Sequence, residues 1–182
     1  MQIKTTPARY GSLSMDLHWL MLLLLVAVYA CVELRDIFPQ GSESRSALKT
    51  WHYMLGLSVF MLVWARLLVN LVATAPGITP QPPHWQTLAS QWVQGALYVL
   101  MIGMPLTGWL ALSAEGEAIP FFGLQLPALI AGNENLAEII NEVHETGAVA
   151  GYFLIGLHAA AALFHHYGVR DDTLRRMLPG RR

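Results

Sequence analysis

The chain is short of charge and almost without sulfur chemistry. Of its 182 residues only 13% are Asp, Glu, Lys or Arg, against about 25% in soluble domains. Its one cysteine, Cys31, excludes an internal disulfide and any multi-cysteine zinc or iron–sulfur site. No internal repeat and no low-complexity tract interrupts it. Two long stretches, 17–32 and 88–114, contain no charged residue at all. Such a composition disfavours an ordinary soluble domain, and nothing in it suggests a nucleic-acid partner.

Hydrophobic residues fill the space, at 54% of the chain. They gather in four runs, about 13–34, 47–72, 88–114 and 139–167. Each is long enough to cross a hydrocarbon core of about 30 Å as a helix. A soluble bundle of buried helices would not need four such runs. The first run is expected to be a retained span, because it is long and lacks an Ala-x-Ala-like cleavage site. The connections read as loops. DIFPQGSES is rich in turn formers, TAPGITPQPPHW carries four prolines that forbid helix, and the third connection spans roughly 115–138. The fold class predicted is all-α: one integral membrane four-helix bundle over residues 1–182.

Charge sets the expected orientation. With the N-terminus cytoplasmic, the inner side holds Lys4, Arg9, Arg66, Arg170, Arg175, Arg176, Arg181 and Arg182, and the outer side only Arg35, Arg45 and Lys49. Basic residues inside obey the positive-inside rule. Acids divide the other way, with Asp16, Asp171 and Asp172 inside and nine outside. Four spans return the C-terminus to the cytoplasm, where LRRMLPGRR can meet anionic membrane lipid.

The histidines then sort by depth. His18 falls at the inner level of the first span and His158 at the inner level of the fourth. His52 and His144 fall at the outer level of the second and fourth. His144 and His158 are fourteen residues apart, so they share a helix face roughly 21 Å apart along the axis. One intramembrane histidine is usually a packing residue. Four at two matched levels point to ligands. Two imidazoles can hold a haem iron from both faces. Zinc or copper could also take two histidines, but zinc usually wants more protein ligands, and no acid or thiol lies at these depths.

Other residues fit around these pairs. Arg66, fourteen after His52, shares its face at the inner level and is a candidate partner for haem propionates, or else snorkels to the headgroups. Lys49, three before His52, has the same alternatives outside. Gly147, Gly151 and Gly156 give room on the fourth helix for a macrocycle or a neighbouring helix, and Gly56 does so on the second. His84 reads as a solvated loop residue. His165 and His166 end the fourth run, either as cations suited to a helix C-terminus or as proton handlers.

The stretches RYGSLSMDLHW, WHYMLGLSVFMLVWARLL, LYVLMIGMPLTGWL, FFGLQLP, HETGAVAGYFLIGLHAAAALFHHY and DDTLRRMLP cover nearly the whole chain. In these the sequence resembles the bacterial cytochrome b561 family, and especially its small dihaem, four-helix, quinone-reducing members. The resemblance implies a multi-pass protein of the bacterial inner membrane. It implies two haem b groups on His18, His52, His144 and His158, in agreement with the depth argument. It further implies ubiquinone near the cytoplasmic end, with His165 as a contact. Some relatives have histidines where this chain has Gln91 and Gln94, and can have tryptophan where it has Val143.

Two bis-histidine haems make an electron path across the bilayer. The resemblance favours oxidation of superoxide to dioxygen outside and reduction of ubiquinone. The alternative is a quinol-linked cytochrome, or the membrane subunit serving a periplasmic redox protein. A non-redox membrane protein or metal transporter requires the histidine pairs to be coincidental.

Overall fold

Each apolar run becomes a helix, and each helix begins or ends where the local chemistry changes. A computed structural model describes residues 9–73 and 76–178. Helix α1 covers Ser12–Arg35, α2 Glu43–Val72, α3 His84–Glu115 and α4 Glu134–Phe164. Ser42 caps α2 by accepting from the Arg45 amide (3.3 Å), and Asn133 caps α4 by accepting from the Leu136 amide (3.1 Å). Gly116, at φ +72°, ends α3 in the left-handed conformation that glycine tolerates best. Helices α2, α3 and α4 start four or five residues earlier than hydropathy predicts, because their first turns are polar. His84 is accordingly the first residue of α3 and not a loop residue.

The third connection is not plain loop. Strands β1 (Ile119–Phe121) and β2 (Leu124–Leu126) pair antiparallel, with Phe121 opposite Leu124. Their two-residue turn has positive φ at both Phe122 and Gly123, the primed turn that suits strand twist. A phenylalanine at the first turn position hides this hairpin from the sequence, since Asn-Gly is the usual signal. The hairpin folds onto the bundle through Ile119, which is buried with Leu57 and Leu112.

All four helices qualify as membrane spans by length and hydropathy. Their apolar side chains largely point outward: Leu23, Val26, Leu71, Val99 and Phe153 are all exposed. In lipid this is the expected polarity, since no water penalty drives those groups inward. The interior is a thin seam of Met21, Val59, Val63 and Met101. Helix α1 packs along α2 and α3 along α4, with a looser α2–α3 contact. Both described ends of the chain lie at one end of the bundle, and the hairpin lies at the other. Lys4, Arg181 and Arg182, used above for orientation, fall outside the described residues.

Candidate functional site

The four histidines meet across the bundle in the pairs that depth predicts. His18 on α1 faces His158 on α4 at the termini end, with ring centroids 6.3 Å apart. His52 on α2 faces His144 on α4 at the hairpin end, 6.2 Å apart. These spacings carry chemical meaning. A metal–imidazole bond is about 2 Å long and the ring centre lies about 1.1 Å further on, so two rings on opposite sides of one metal stand about 6.2 Å apart. Among the described residues no group of three His, Cys, Asp or Glu gathers to hold an ion. Each pair thus offers two axial nitrogens, the number a haem iron needs.

At the hairpin end both rings are oriented by their second nitrogen. His52 Nδ1 lies 3.1 Å from the carbonyl of Val28. His144 Nδ1 lies 3.0 Å from Thr107 Oγ1. The Thr107 hydroxyl donates to the Met104 carbonyl at 2.8 Å, so its oxygen is left to accept from the imidazole. Both rings then carry the proton on Nδ1, leaving Nε2 as the ligating atom. The two histidines line a cavity of about 660 Å³ with Gly56, Gly108 and Leu57, a volume typical of cofactor sites. A Cβ on Gly56 would meet nothing within 4 Å, so that position leaves space beside His52.

The pair at the termini end is tuned by Arg66. Its Nη2 lies 3.0 Å from His18 Nδ1, and its Nε donates to Tyr98 Oη at 3.3 Å. A guanidinium has donors only, so His18 Nδ1 accepts here. Arg66 Nη1 is buried with no hydrogen-bond partner. A buried, unmatched guanidinium nitrogen beside a histidine pair suits a carboxylate, such as a haem propionate. Lys49 is exposed; it lines the hairpin-end cavity and lies 6.0 Å from the Tyr53 ring.

The glycines divide in a way the sequence left open. A Cβ on Gly147 would meet Met104 Sδ, and one on Gly151 would meet Tyr29 Oη and Leu100. This GxxxG therefore serves close helix packing. Gly156 is exposed and faces open space.

Beyond the His18–His158 pair, α4 changes to a π-helical turn, His165–Val169. Arg170 follows at φ +61°. The reversed chain brings Asp171 back onto His165, Oδ2 to Nδ1 at 2.5 Å. Asp171 also accepts from the Thr173 amide at 2.9 Å. Burial pushes its carboxyl up, but the bonds from His165 and Thr173 outweigh this and hold it below the usual range. Asp172 accepts from the Thr79 amide at 2.9 Å, and a short 3-10 turn, Arg175–Met177, follows.

At the hairpin end, Arg35 and Arg45 both pair with Asp36, at 3.1 and 2.9 Å. The Arg35 hydrogen bond leads in holding the Asp36 carboxyl below its usual range; burial opposes it, and the Arg35 and Arg45 charges reinforce it. Thr107, Tyr98 and Asp171 escaped the sequence reading. Thr107 could have been noticed as a polar residue just after Pro105 in an apolar span. Asp171 could not, because six residues of regular α-helix would not return it to His165.

The sequence profile of the prokaryotic cytochrome b561 family matches residues 9–180. The chain is 37% identical over 174 residues to cytochrome b561 homolog 1 of Escherichia coli K12, covering 96% of this chain and 99% of that one. It is 36% identical over 177 residues to the probable superoxide oxidase CybB of Yersinia pestis, covering 96% and 98%. It is 28% identical over 179 residues to cytochrome b561 homolog 2 of Escherichia coli K12, covering 98% and 95%. A four-helix membrane bundle with paired histidines and this match over almost its full length belongs to the prokaryotic cytochrome b561 family, the haem-containing electron-transport cytochromes of the inner membrane.

Proposed function

We propose that the protein carries electrons across the inner membrane, from superoxide on the periplasmic side to ubiquinone. The observation that carries this reading is the pair of bis-histidine sites with centroid spacings of 6.3 and 6.2 Å. His18 and His158 would hold one haem b, and His52 and His144 the other. Bound there, haem b supplies reversible one-electron chemistry.

The chain's own residues hold, orient and exclude. Val28 and Thr107 hold the outer rings by Nδ1, which would leave both Nε2 atoms free to ligate the haem iron. Ligation through His18 Nε2 puts that ring's proton on Nδ1, which cannot face a guanidinium. Arg66 would then be free to hold a propionate, which its unpartnered Nη1 suits. With two imidazoles holding each haem, the chain would leave no open position for dioxygen, which suits electron transfer. The termini end is cytoplasmic in this reading, with His165 the contact for ubiquinone. The similarity to a probable superoxide oxidase supports superoxide as donor, and Lys49 at the cavity mouth is the cation that would meet it.

One observation favours a different donor. The outer segments carry nine acids against three bases, and Arg35 and Arg45 are already paired with Asp36. An acidic face repels an anion and suits a basic periplasmic redox protein. The test is ubiquinol formation by purified protein in liposomes supplied with enzymatically generated superoxide. A rate above protein-free liposomes is expected. No excess rate, together with reduction by a co-purifying redox protein, would establish the second donor instead.

A further inference from the structure

We propose that Asp171 is a positioning residue for proton delivery by His165 to the quinone. The inference rests on the quinone reading above and deepens it. His165 lies seven residues beyond His158, so it sits roughly 10 Å further along α4 and within about 20° of the same face. That places it between the His18–His158 site and the termini end of the bundle, where an acceptor drawing electrons from that site would bind.

The geometry around it is built rather than incidental. The π-helical turn and the left-handed Arg170 reverse the chain. The Asp171 amide then donates to the His165 carbonyl at 3.2 Å while its carboxylate takes His165 Nδ1 at 2.5 Å. The Asp171 side chain is 0% exposed, and that of His165 18%. The carboxylate is sealed from water, and only the imidazole reaches outward. The tail is tied down behind the pair: Trp19 Nε1 donates to the Met177 carbonyl at 2.7 Å, and Arg176 donates to the Pro76 carbonyl. Among the described residues, the other charged or titratable groups nearby include His166 and Tyr167 on the same turn, Arg170 at its end, Asp172 and Arg176, which pair with each other at 3.4 Å, and Tyr10, whose ring lies 5.9 Å from the Arg176 guanidinium. From the described residues of the loop between α2 and α3, the Pro76 carbonyl accepts from Arg176 and the Thr79 amide donates to Asp172.

With Nδ1–H committed to Asp171, His165 Nε2 is left to carry the transferable proton. Ubiquinone becomes ubiquinol by gaining two electrons from the donor side and two protons, with two O–H bonds formed. His165 gives a proton from Nε2 to a quinone oxygen while Nδ1–H stays on Asp171. The resulting neutral imidazole regains a proton from cytoplasmic water, twice per quinone. The carboxylate remains ionised and stabilises the charged ring between transfers, a role that commonly carries large rate factors.

The experiment is reoxidation of chemically reduced holoprotein by a short-chain ubiquinone, followed optically from pH 5.5 to 9. Asp171→Asn is expected to slow reoxidation roughly tenfold at neutral pH, with the quinone concentration dependence little changed. The alkaline limb of its pH profile moves to lower pH, and Asp171→Glu recovers much of the rate. His165→Gln is expected to slow it roughly a hundredfold, and adding Asp171→Asn to it costs nothing more. If Asp171→Asn runs at the wild-type rate and pH profile, the proposal is wrong although the quinone reading stands. If wild type itself is not reoxidised by quinone, the quinone reading fails first. Should Asp171→Asn lose haem, His165→Gln decides: a wild-type rate there overturns the proposal. Nitrogen chemical shifts of His165 give a readout independent of turnover: the Nδ1–H tautomer in wild type, mixed tautomers in Asp171→Asn. A wild-type ring protonated on Nε2 alone would also overturn it.

Discussion

Adding one methyl group at Gly151 should be far more damaging than adding it at Gly156, although both glycines lie on α4 and five residues apart. At Gly151 the new Cβ would occupy the space of Tyr29 Oη and stand 3.0 Å from Leu100 Cδ1. The tyrosine cannot simply retreat. Its hydroxyl donates to the Ala148 carbonyl at 3.0 Å, and its ring packs on Tyr152 with centroids 4.3 Å apart. Moving it loses a hydrogen bond of about 1 kcal/mol and imposes overpacking of about 1–3 kcal/mol. At Gly156 nothing lies within 4 Å, so alanine there gains up to about 1 kcal/mol of helix propensity. For a chain of this length each kcal/mol moves the melting temperature by about 2–4 °C. The same propensity gain offsets part of the cost at Gly151, leaving roughly 1–3 kcal/mol, so heating the holoprotein in detergent and following haem absorbance should place Gly151→Ala roughly 2–12 °C below wild type, with Gly156→Ala level or slightly above. Gly147→Ala should fall between, because the atom it meets is the end of a flexible methionine. Equal melting temperatures for the 151 and 156 variants would refute the close α1–α3–α4 packing on which the histidine alignment depends.

Arg66→Leu should lower haem content toward one per chain and speed loss of any haem still held between His18 and His158, measured by transfer to an excess of a haem scavenger; unchanged retention would remove Arg66 from the site. Asp171 is held below the usual carboxylate range, so its contribution to tail docking is complete above its unfolded value of about 3.9 and is lost as pH falls through its lower folded value. Amide exchange over 171–178 should therefore stay slow at pH 5 and quicken only in stronger acid, and Asp171→Asn should abolish that dependence. Lys49→Glu should slow superoxide-driven ubiquinol formation several-fold at low salt and less at high salt; an identical rate at both would show that Lys49 guides nothing.

The sequence made some parts of this molecule legible and concealed others, for physical reasons. Four long apolar runs announce four helices, because a lipid-facing surface requires apolar residues all round. Their first turns were missed since polar residues at an interface weaken hydropathy but not helix. The pairing of His18 with His158 and of His52 with His144 followed from depth alone, because alternate spans must run in opposite directions. The hairpin was hidden by Phe122 in a turn position that usually takes Asn. The Thr107 and Val28 partners of the outer rings were hidden because they come from α3 and α1, and register between helices is set by packing rather than by spacing. The packing role of Gly147 and Gly151 needed the positions of Met104 and Tyr29. Asp171 depended on a π turn that no periodicity signals.

Haem stoichiometry tests the central claim most directly. Haem extracted from purified protein, together with its reduced-minus-oxidised spectrum, should give two b-type groups per chain. His18→Ala and His158→Ala should each remove the same one, and His52→Ala and His144→Ala the other, with the two halves distinguishable by spectrum. Fewer than two haems in the wild type, or loss patterns that cross between the pairs, would contradict the account.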